Sequence, residues 1–216
     1  MTALWGVGCY EAPEGRRAWE ISHDEIGRDM GSAQRTLEEL EIGRSGGVLF
    51  CSMLSEAGQF WPWIVGAMLT GAQLSCSDAT EAEALRVATL CELLDFEAVL
   101  GVTPGLVAGL GELGRDPADV FAGVRVVGAH PGAYERLAAA GLDPWWFVLC
   151  GPAVALSREP GGPATVDPDE WAVEERDGRI AVTGRQPRAT TFAGTTTAVR
   201  AHVIDERAFI PAQEGT

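Results

Sequence analysis

Residues 46–77, GGVLFCSMLSEAGQFWPWIVGAMLTGAQLSCS, read as strand, helix, strand. Gly46 and Gly47 turn the chain into a compact apolar run, 48–53, of the kind a sheet buries on both faces. A helix over 58–69 follows, with Pro62 in its first turn, where a missing N–H is tolerated. A second strand over 72–77 completes the unit. Two strands joined by a helix imply a parallel pair with the helix laid across the sheet.

The alternation extends both ways. Upstream, 19–22 reads as a short strand and 24–40 as a helix. Ser22 or Asp24 offers an N-cap, and Ile26, Met30, Ala33, Leu37 and Leu40 recur at helical spacing. Downstream come a helix over 81–94, a strand over 98–102, a Thr103-Pro104-Gly105 turn and a short helix to residue 113. A strand over 124–127, a helix over 132–140 and a strand over 146–149 follow. The expected fold is therefore α/β, a mostly parallel sheet flanked by helices. Past the loop-forming stretch 158–163 only strand-like runs remain, at 171–175, 179–183 and 198–204, with Asp177-Gly178 as a hairpin signal. The expected organisation is an α/β domain over 1–157 and a small β-rich subdomain over 158–216 packed on it.

Charge and cysteine usage narrow the partners. The 216 residues carry 31 Asp+Glu against 16 Lys+Arg, net −15, and every one of the basic residues is arginine. This balance argues against nucleic acid and anionic membrane, which reward clustered positive charge. Cys9, Cys51, Cys76, Cys91 and Cys150 form no CxxC pair and have apolar neighbours, the pattern of reduced thiols in a cytoplasmic protein. The N-terminal stretch has no basic region followed by a long apolar core, and the longest apolar run, 60–69, is too short to span a membrane.

No short motif announces a chemistry. HExxH, GxSxG and the Walker loop are absent, and His23, His130 and His202 are too far apart in sequence for a short-spaced metal motif, so neither a metal nor a cofactor is expected. Trp61, Trp63, Trp145 and Trp146 could line an aromatic pocket or simply fill the core. Cys51 and Cys150 each end an apolar strand. Ligands of open parallel sheets bind beyond the carboxyl ends of strands, so either thiol could face a pocket. Neither has a basic neighbour in sequence to lower its pKa, so an inert buried thiol is the competing reading.

The order of segments carries more. Trp19-Glu20-Ile21-Ser22-His23-Asp24-Glu25-Ile26, Leu40 through Leu49, and 63–72 with its Gly66-Ala67 and Gly71-Ala72 steps stand in line with Leu100-Gly101-Val102-Thr103-Pro104-Gly105. Val127-Gly128-Ala129-His130-Pro131, Pro187-Arg188-Ala189-Thr190 and Ala198-Val199-Arg200 continue the series. In this order they resemble the adenylate-forming (AMP-binding) enzymes, the acyl-CoA and aryl-CoA synthetases, with phenylacetate-CoA ligase nearest in flavour. The resemblance implies an acyl or aryl pocket at Thr103, Gly128, Ala129, His130 and Gly151, with Trp63 and Cys150 as additions.

Departures from the family pattern are equally specific. The family's phosphate loop is rich in small residues, so that backbone N–H groups wrap the phosphates. The stretch here is Tyr10-Glu11-Ala12-Pro13-Glu14-Gly15-Arg16-Arg17. The metal-holding Thr-Glu pair falls on Gly151-Pro152-Ala153, and the ribose aspartate on Thr197. The C-terminal domain that brings the adenylation lysine has no counterpart. Adenylation places several negative charges in a dry site, and loss of one preorganised donor commonly costs about 10²–10³ in rate. The expectation is a truncated, non-catalytic relative that binds an acyl or aryl carboxylate, a CoA thioester or a partner protein, as a homo-oligomer or beside a partner enzyme. An ATP-independent thioester hydrolase or transferase, with His130 as base and Cys51 or Cys150 as nucleophile, is the alternative. A purely structural subunit is the third reading.

Overall fold

The computed structural model describes residues 3–44 and 46–212; Ser45, inside one of the segments quoted above, lies outside them. The chain opens with a hairpin that sequence reading saw only in part: β1 (Leu4–Ala12) and β2 (Gly15–Ser22). α1 (His23–Glu39) starts at once because Ser22 and Glu25 form a capping box. The Ser22 hydroxyl accepts from Glu25 N at 3.3 Å and the Glu25 carboxylate from Ser22 N at 2.9 Å. β3 (Gly47–Cys51), α2 (Ala57–Thr70) and β4 (Gln73–Ser77) then build the unit expected for 46–77. A 3₁₀ turn precedes α2, and the helix begins early enough that Pro62 sits in its second turn rather than its first. Gly71, with φ 91°, ends α2 in the left-handed conformation glycine favours.

Next come α3 (Ala84–Leu93), β5 (Phe96–Val102), α4 (Pro104–Glu112), α5 (Pro117–Val120), β6 (Val126–Ala129), α6 (Ala133–Ala139) and β7 (Trp145–Cys150). After these, β8 (Ala153–Ser157), β9 (Ala164–Thr165), β10 (Trp171–Arg176), β11 (Arg179–Gly184), β12 (Thr195–Val203) and β13 (Ala208–Pro211) complete the chain. The Asp177-Gly178 turn joins β10 to β11 with both residues at positive φ, 52° and 70°, as the dipeptide signalled.

β1 and β2 pair alone. The remaining strands run in one sheet in the order β10-β11-β12-β13-β9-β8-β7-β6-β5-β3-β4. From β4 to β7 all neighbours are parallel, and from β7 outward all are antiparallel. The strands after residue 158 join the rest through β8 and β9, where Leu156 faces Thr165 and Ser157 faces Ala164.

The inner parallel strands β3, β5 and β6 are buried on both faces, whereas the edge strand β4 is partly exposed, and the strands' period of two divides the core. Val48, Phe50 and Leu100 pack beneath α1 and α2 with Phe60, Trp63 and Phe147. Leu49, Cys51, Val99 and Val102 point the other way, under α3, α4 and α6. A third cluster joins the β1–β2 hairpin to the antiparallel half through Tyr10, Trp19, Val148, Trp171 and Phe209. The helices therefore cover both faces of the parallel layer and leave its strand ends to form the site.

Candidate functional site

His130 follows β6 directly. Its N–H donates to Val102 O at 2.9 Å, which carries the ladder one step past the strand and sets where the ring goes. The ring lies 6.4 Å from Phe60 and 6.1 Å from Phe147, centroid to centroid. Its Nε2 is buried with no hydrogen-bond partner, and burial lowers the imidazole pKa to about 4. At neutral pH the ring is uncharged.

Gln59, in the first turn of α2, is 3% exposed. Its Nε2 donates to Cys9 O at 3.0 Å and to Gly151 O at 3.1 Å, which fixes the amide orientation and leaves Oε1 buried and unpartnered. Gln59 thereby ties α2 to both the hairpin and the end of β7. A cavity of about 160 Å³ lies among these groups, lined by Cys9, Tyr10, Glu56, Gln59, His130 and Gly151. Glu56 is held there with its carboxyl raised above the usual range by burial, although Met53 N donates to it at 3.0 Å.

Beyond the ends of β3 and β4 lies an open cleft of about 380 Å³. Met53, Phe60, Trp61 and Ile64 form its apolar wall.

The residues expected from sequence separate in the fold. His130 and Gly151 line the one cavity. Gly128 and Ala129 are enclosed within β6, and a Cβ on Gly128 would meet Leu100 Cδ2 at 2.8 Å. Thr103 spends its hydroxyl on structure, donating to Ala79 O at 2.5 Å and accepting from Leu106 N at 3.1 Å as the N-cap of α4. Trp63 packs edge-on against Phe147 at 5.3 Å, and Trp145 and Trp146 are likewise buried, whereas Trp61 is 43% exposed in the cleft. Burial pushes the Cys150 thiol up to about 12 and raises that of Cys51 further still. Cys51 faces the α3–α4 layer and Cys150 the hairpin cluster, so neither thiol joins the His130 cavity. Gln59 was not foreseen, although one polar side chain near the start of an otherwise apolar helix was a readable signal.

The stretch that resembles the phosphate loop is a tight turn. Glu11 pairs with Arg16 and Ala12 with Gly15, so only Pro13 and Glu14 lie between the strands. Glu11 and Glu14 form exposed ion pairs with Arg16 at 2.9 Å and Arg17 at 3.1 Å. Gly151 and Pro152 form the turn between β7 and β8, with Gly151 at φ 67°. Thr197 is fully buried in β12, its hydroxyl donating to Ile180 O at 3.0 Å. Among the described residues no group of three or more His, Cys, Asp or Glu is placed to hold a metal ion, and no helix is long and apolar enough to cross a membrane.

The depressed His130 pKa has a thermodynamic consequence. Below pH 6.5 the unfolded chain takes up a proton that the folded ring resists until about pH 4. Stability contributed by the neutral ring is complete above pH 6.5 and lost as pH falls through that window, by up to roughly 3 kcal/mol. In urea titrations at stepped pH, His130→Phe is expected to flatten the decline between pH 6.5 and 5 relative to the wild type.

No family model matches the chain, and no curated protein sequence matches it. Solved structures do. A 2-hydroxyisobutyryl-CoA ligase, crystallised in an open conformation with 2-HIB-AMP and CoA, matches with TM-score 0.67 and 14% identity over 97% of this chain and 56% of its own. An o-succinylbenzoate-CoA synthetase from Bacillus subtilis, bound to a product analogue, gives 0.65 and 14% over 100% and 50%. The N-terminal subdomain of Klebsiella oxytoca NpsA, in complex with 3-hydroxyanthranilyl-AMSN, gives 0.63 and 13% over 96% and 64%. At such identity the likeness speaks of architecture, and a fold does not by itself carry a function. The chain has the fold of adenylate-forming acyl-CoA ligases and spans about half the length of the first two matches.

Proposed function

We propose that this protein binds an acyl or aryl group, as the carboxylate or as a thioester, on a ligase-type scaffold without performing ATP chemistry. The observation that carries the reading is the two-residue Pro13-Glu14 turn. Wrapping a triphosphate takes a run of free backbone amides. Here the flanking residues are in strand pairing, Pro13 has no N–H, and Arg16 and Arg17 are already paired with Glu11 and Glu14. Thr197, at the position resembling the ribose aspartate, spends its hydroxyl on Ile180 O of β11 and carries no charge for a diol. In the small cavity His130 Nε2 is the unpartnered buried atom that can donate to a ligand oxygen, while Gln59 and Gly151 shape the wall around it. The nucleophilic alternative lacks support, because Cys51 and Cys150 lie away from His130 and burial disfavours both thiolates. Five free cysteines agree with a cytoplasmic setting, and assembly with a second copy or a partner enzyme belongs to the same proposal.

Isothermal calorimetry tests it directly. Mg-ATP is expected to give no saturable heat up to millimolar concentration, while at least one member of a panel of acyl or aryl carboxylates and CoA thioesters binds. Micromolar Mg-ATP binding would overturn the reading.

A further inference from the structure

The His130 cavity, at about 160 Å³, is too small for the body of an acyl or aryl ligand, since drug-sized ligands occupy roughly 300–1,000 Å³. The cleft between α2 and the end of β4 has the size, about 380 Å³, and an apolar wall of Met53, Phe60, Trp61 and Ile64. Trp61 is 43% exposed there although its three fellow tryptophans in the 61–63 and 145–146 pairs are buried; its ring lies 6.4 Å from that of Trp5, and the rest of its surface is open to the cleft. None of the residues that carry the family resemblance to a substrate pocket lies in this cleft.

Its mouth is polar and its charge is unequal. Asp78, Glu83 and Arg86 line it, two carboxylates against one guanidinium. Glu83 is engaged: the Ser77 hydroxyl donates to its Oε2 at 3.3 Å, and Arg86 Nη1 stands 3.9 Å from the same oxygen. Arg86 also donates through Nη2 to Cys76 O at 3.4 Å. Asp78 has no ion pair among the described residues. The guanidinium is thus drawn toward Glu83, and an entering anion meets the uncompensated charge of Asp78.

We propose that this cleft holds the apolar body of an uncharged acyl or aryl compound, an ester, thioester or amide, and discriminates against the free carboxylate. The inference rests on the binding function proposed above, places the ligand's body and carbonyl in this cleft rather than at His130, and adds a charge preference. Apolar contact with Trp61, Phe60 and Ile64 supplies the affinity. A carbonyl at the mouth accepts from Ser52 or Arg86 without bringing a negative charge beside Asp78 and Glu83. A scaffold that does not adenylate carboxylates then has its ligand delivered already activated or already capped.

Cys76, exposed in the cleft, supplies a native reporter. Alkylation by iodoacetamide, read by peptide mass spectrometry, is measured with the near-isosteric series phenylacetate, phenylacetamide and phenethylamine. At low salt and pH 7 phenylacetamide is expected to protect Cys76 at concentrations about tenfold below phenylacetate, a step worth about 1.4 kcal/mol. The double variant Asp78→Asn, Glu83→Gln is expected to bring the two within about threefold, as removal of the local charges predicts. Equal or stronger protection by phenylacetate overturns the charge preference, and strongest protection by phenethylamine assigns the cleft to a cation instead. Calorimetric binding of phenylacetamide without protection of Cys76 removes the ligand from this cleft while leaving the binding function intact. Failure of every acyl or aryl compound to bind in calorimetry overturns that function itself.

Discussion

Arg188→Met is expected to lower folding stability by about 3–5 kcal/mol, the usual cost of breaking a buried ion pair from one side. Arg188 is the hub of a buried charge cluster, its side chain only 4% exposed. Its guanidinium bridges Asp29 at both nitrogens, 3.0 and 2.8 Å, donates to Glu170 at 2.7 Å and stacks 3.8 Å above the Trp171 ring. Glu25 lies 3.8 Å away, its Oε2 accepting from Ala189 N at 2.7 Å. Removing the hub leaves three carboxylates in the company of Arg28 alone, which reaches Glu170 at 3.1 Å. Burial already lifts the Glu170 carboxyl above its usual range against the pull of Arg188 and Arg28. In the variant the Glu170 carboxyl loses that pull and is raised further, so part of the missing stability is regained as pH falls and it protonates. Urea unfolding should show a wild-type advantage that is larger at pH 8 than at pH 5. Arg188→Lys should fall between the two, because an ammonium keeps the charge but not the fork or the ring stacking. A loss below about 1 kcal/mol, the level of a surface pair, would show that the cluster contributes no more than an exposed bridge.

Gly101→Ala is the second large effect, with an expected loss of about 2–5 kcal/mol from backbone strain and overpacking together. Gly101 sits at φ 93° where the β5–β6 register shifts between Leu100 and Val102. A Cβ there would lie 2.2 Å from Cys51 O and 2.8 Å from Phe60 Cζ. The first neighbour is backbone of the adjacent strand and cannot step aside. Phe60 also lines the Trp61 cleft, so ligand binding there should weaken with stability. Gly111→Ala is the control: nothing lies within 4 Å of its added Cβ, and alanine is the better helix former by up to about 1 kcal/mol in α4. Denaturant midpoints that move equally for the two variants would remove the steric argument.

The parallel half was legible because buried strands are apolar throughout and the intervening helices carry their own caps and spacing. β3, β5 and β7 read directly from 48–53, 98–102 and 146–149. β1 was not read: Gly6 and Gly8 break its apolar pattern, and it is half exposed. Gly8 is there because Trp19 of β2 lies across it, its ring 2.3 Å from where a Cβ would stand. β8, Ala153–Ser157, is built largely of small residues, and β9 and β13 are short pieces defined by their neighbours rather than by their own sequence. In the site, the resemblance brought His130 and Gly151 together, but position along a motif cannot say which way a side chain turns. Thr103 turned to cap α4, and Cys150 turned into the hairpin cluster. The Trp61 cleft is hidden for another reason: Trp61 reads as pocket or core alike, and Met53 and Cys76, which join it, come from separate segments that nothing in the sequence links to it.

The charge cluster also orders events on the ribosome. α1 emerges early, yet the groups that hold its outer face, Asp167, Glu170 and Arg188, come from the other end of the chain. At typical elongation speeds, roughly ten to thirty seconds of synthesis separate Glu25 from Arg188. Through that interval α1 can rest on α2 and on β3 to β6, all of which precede residue 130, but Glu25 and Asp29 wait for a cation not yet made. Completion of the fold is therefore a late, C-terminal event, and a nascent chain stalled before residue 188 is a natural target for chaperones that hold unfinished domains.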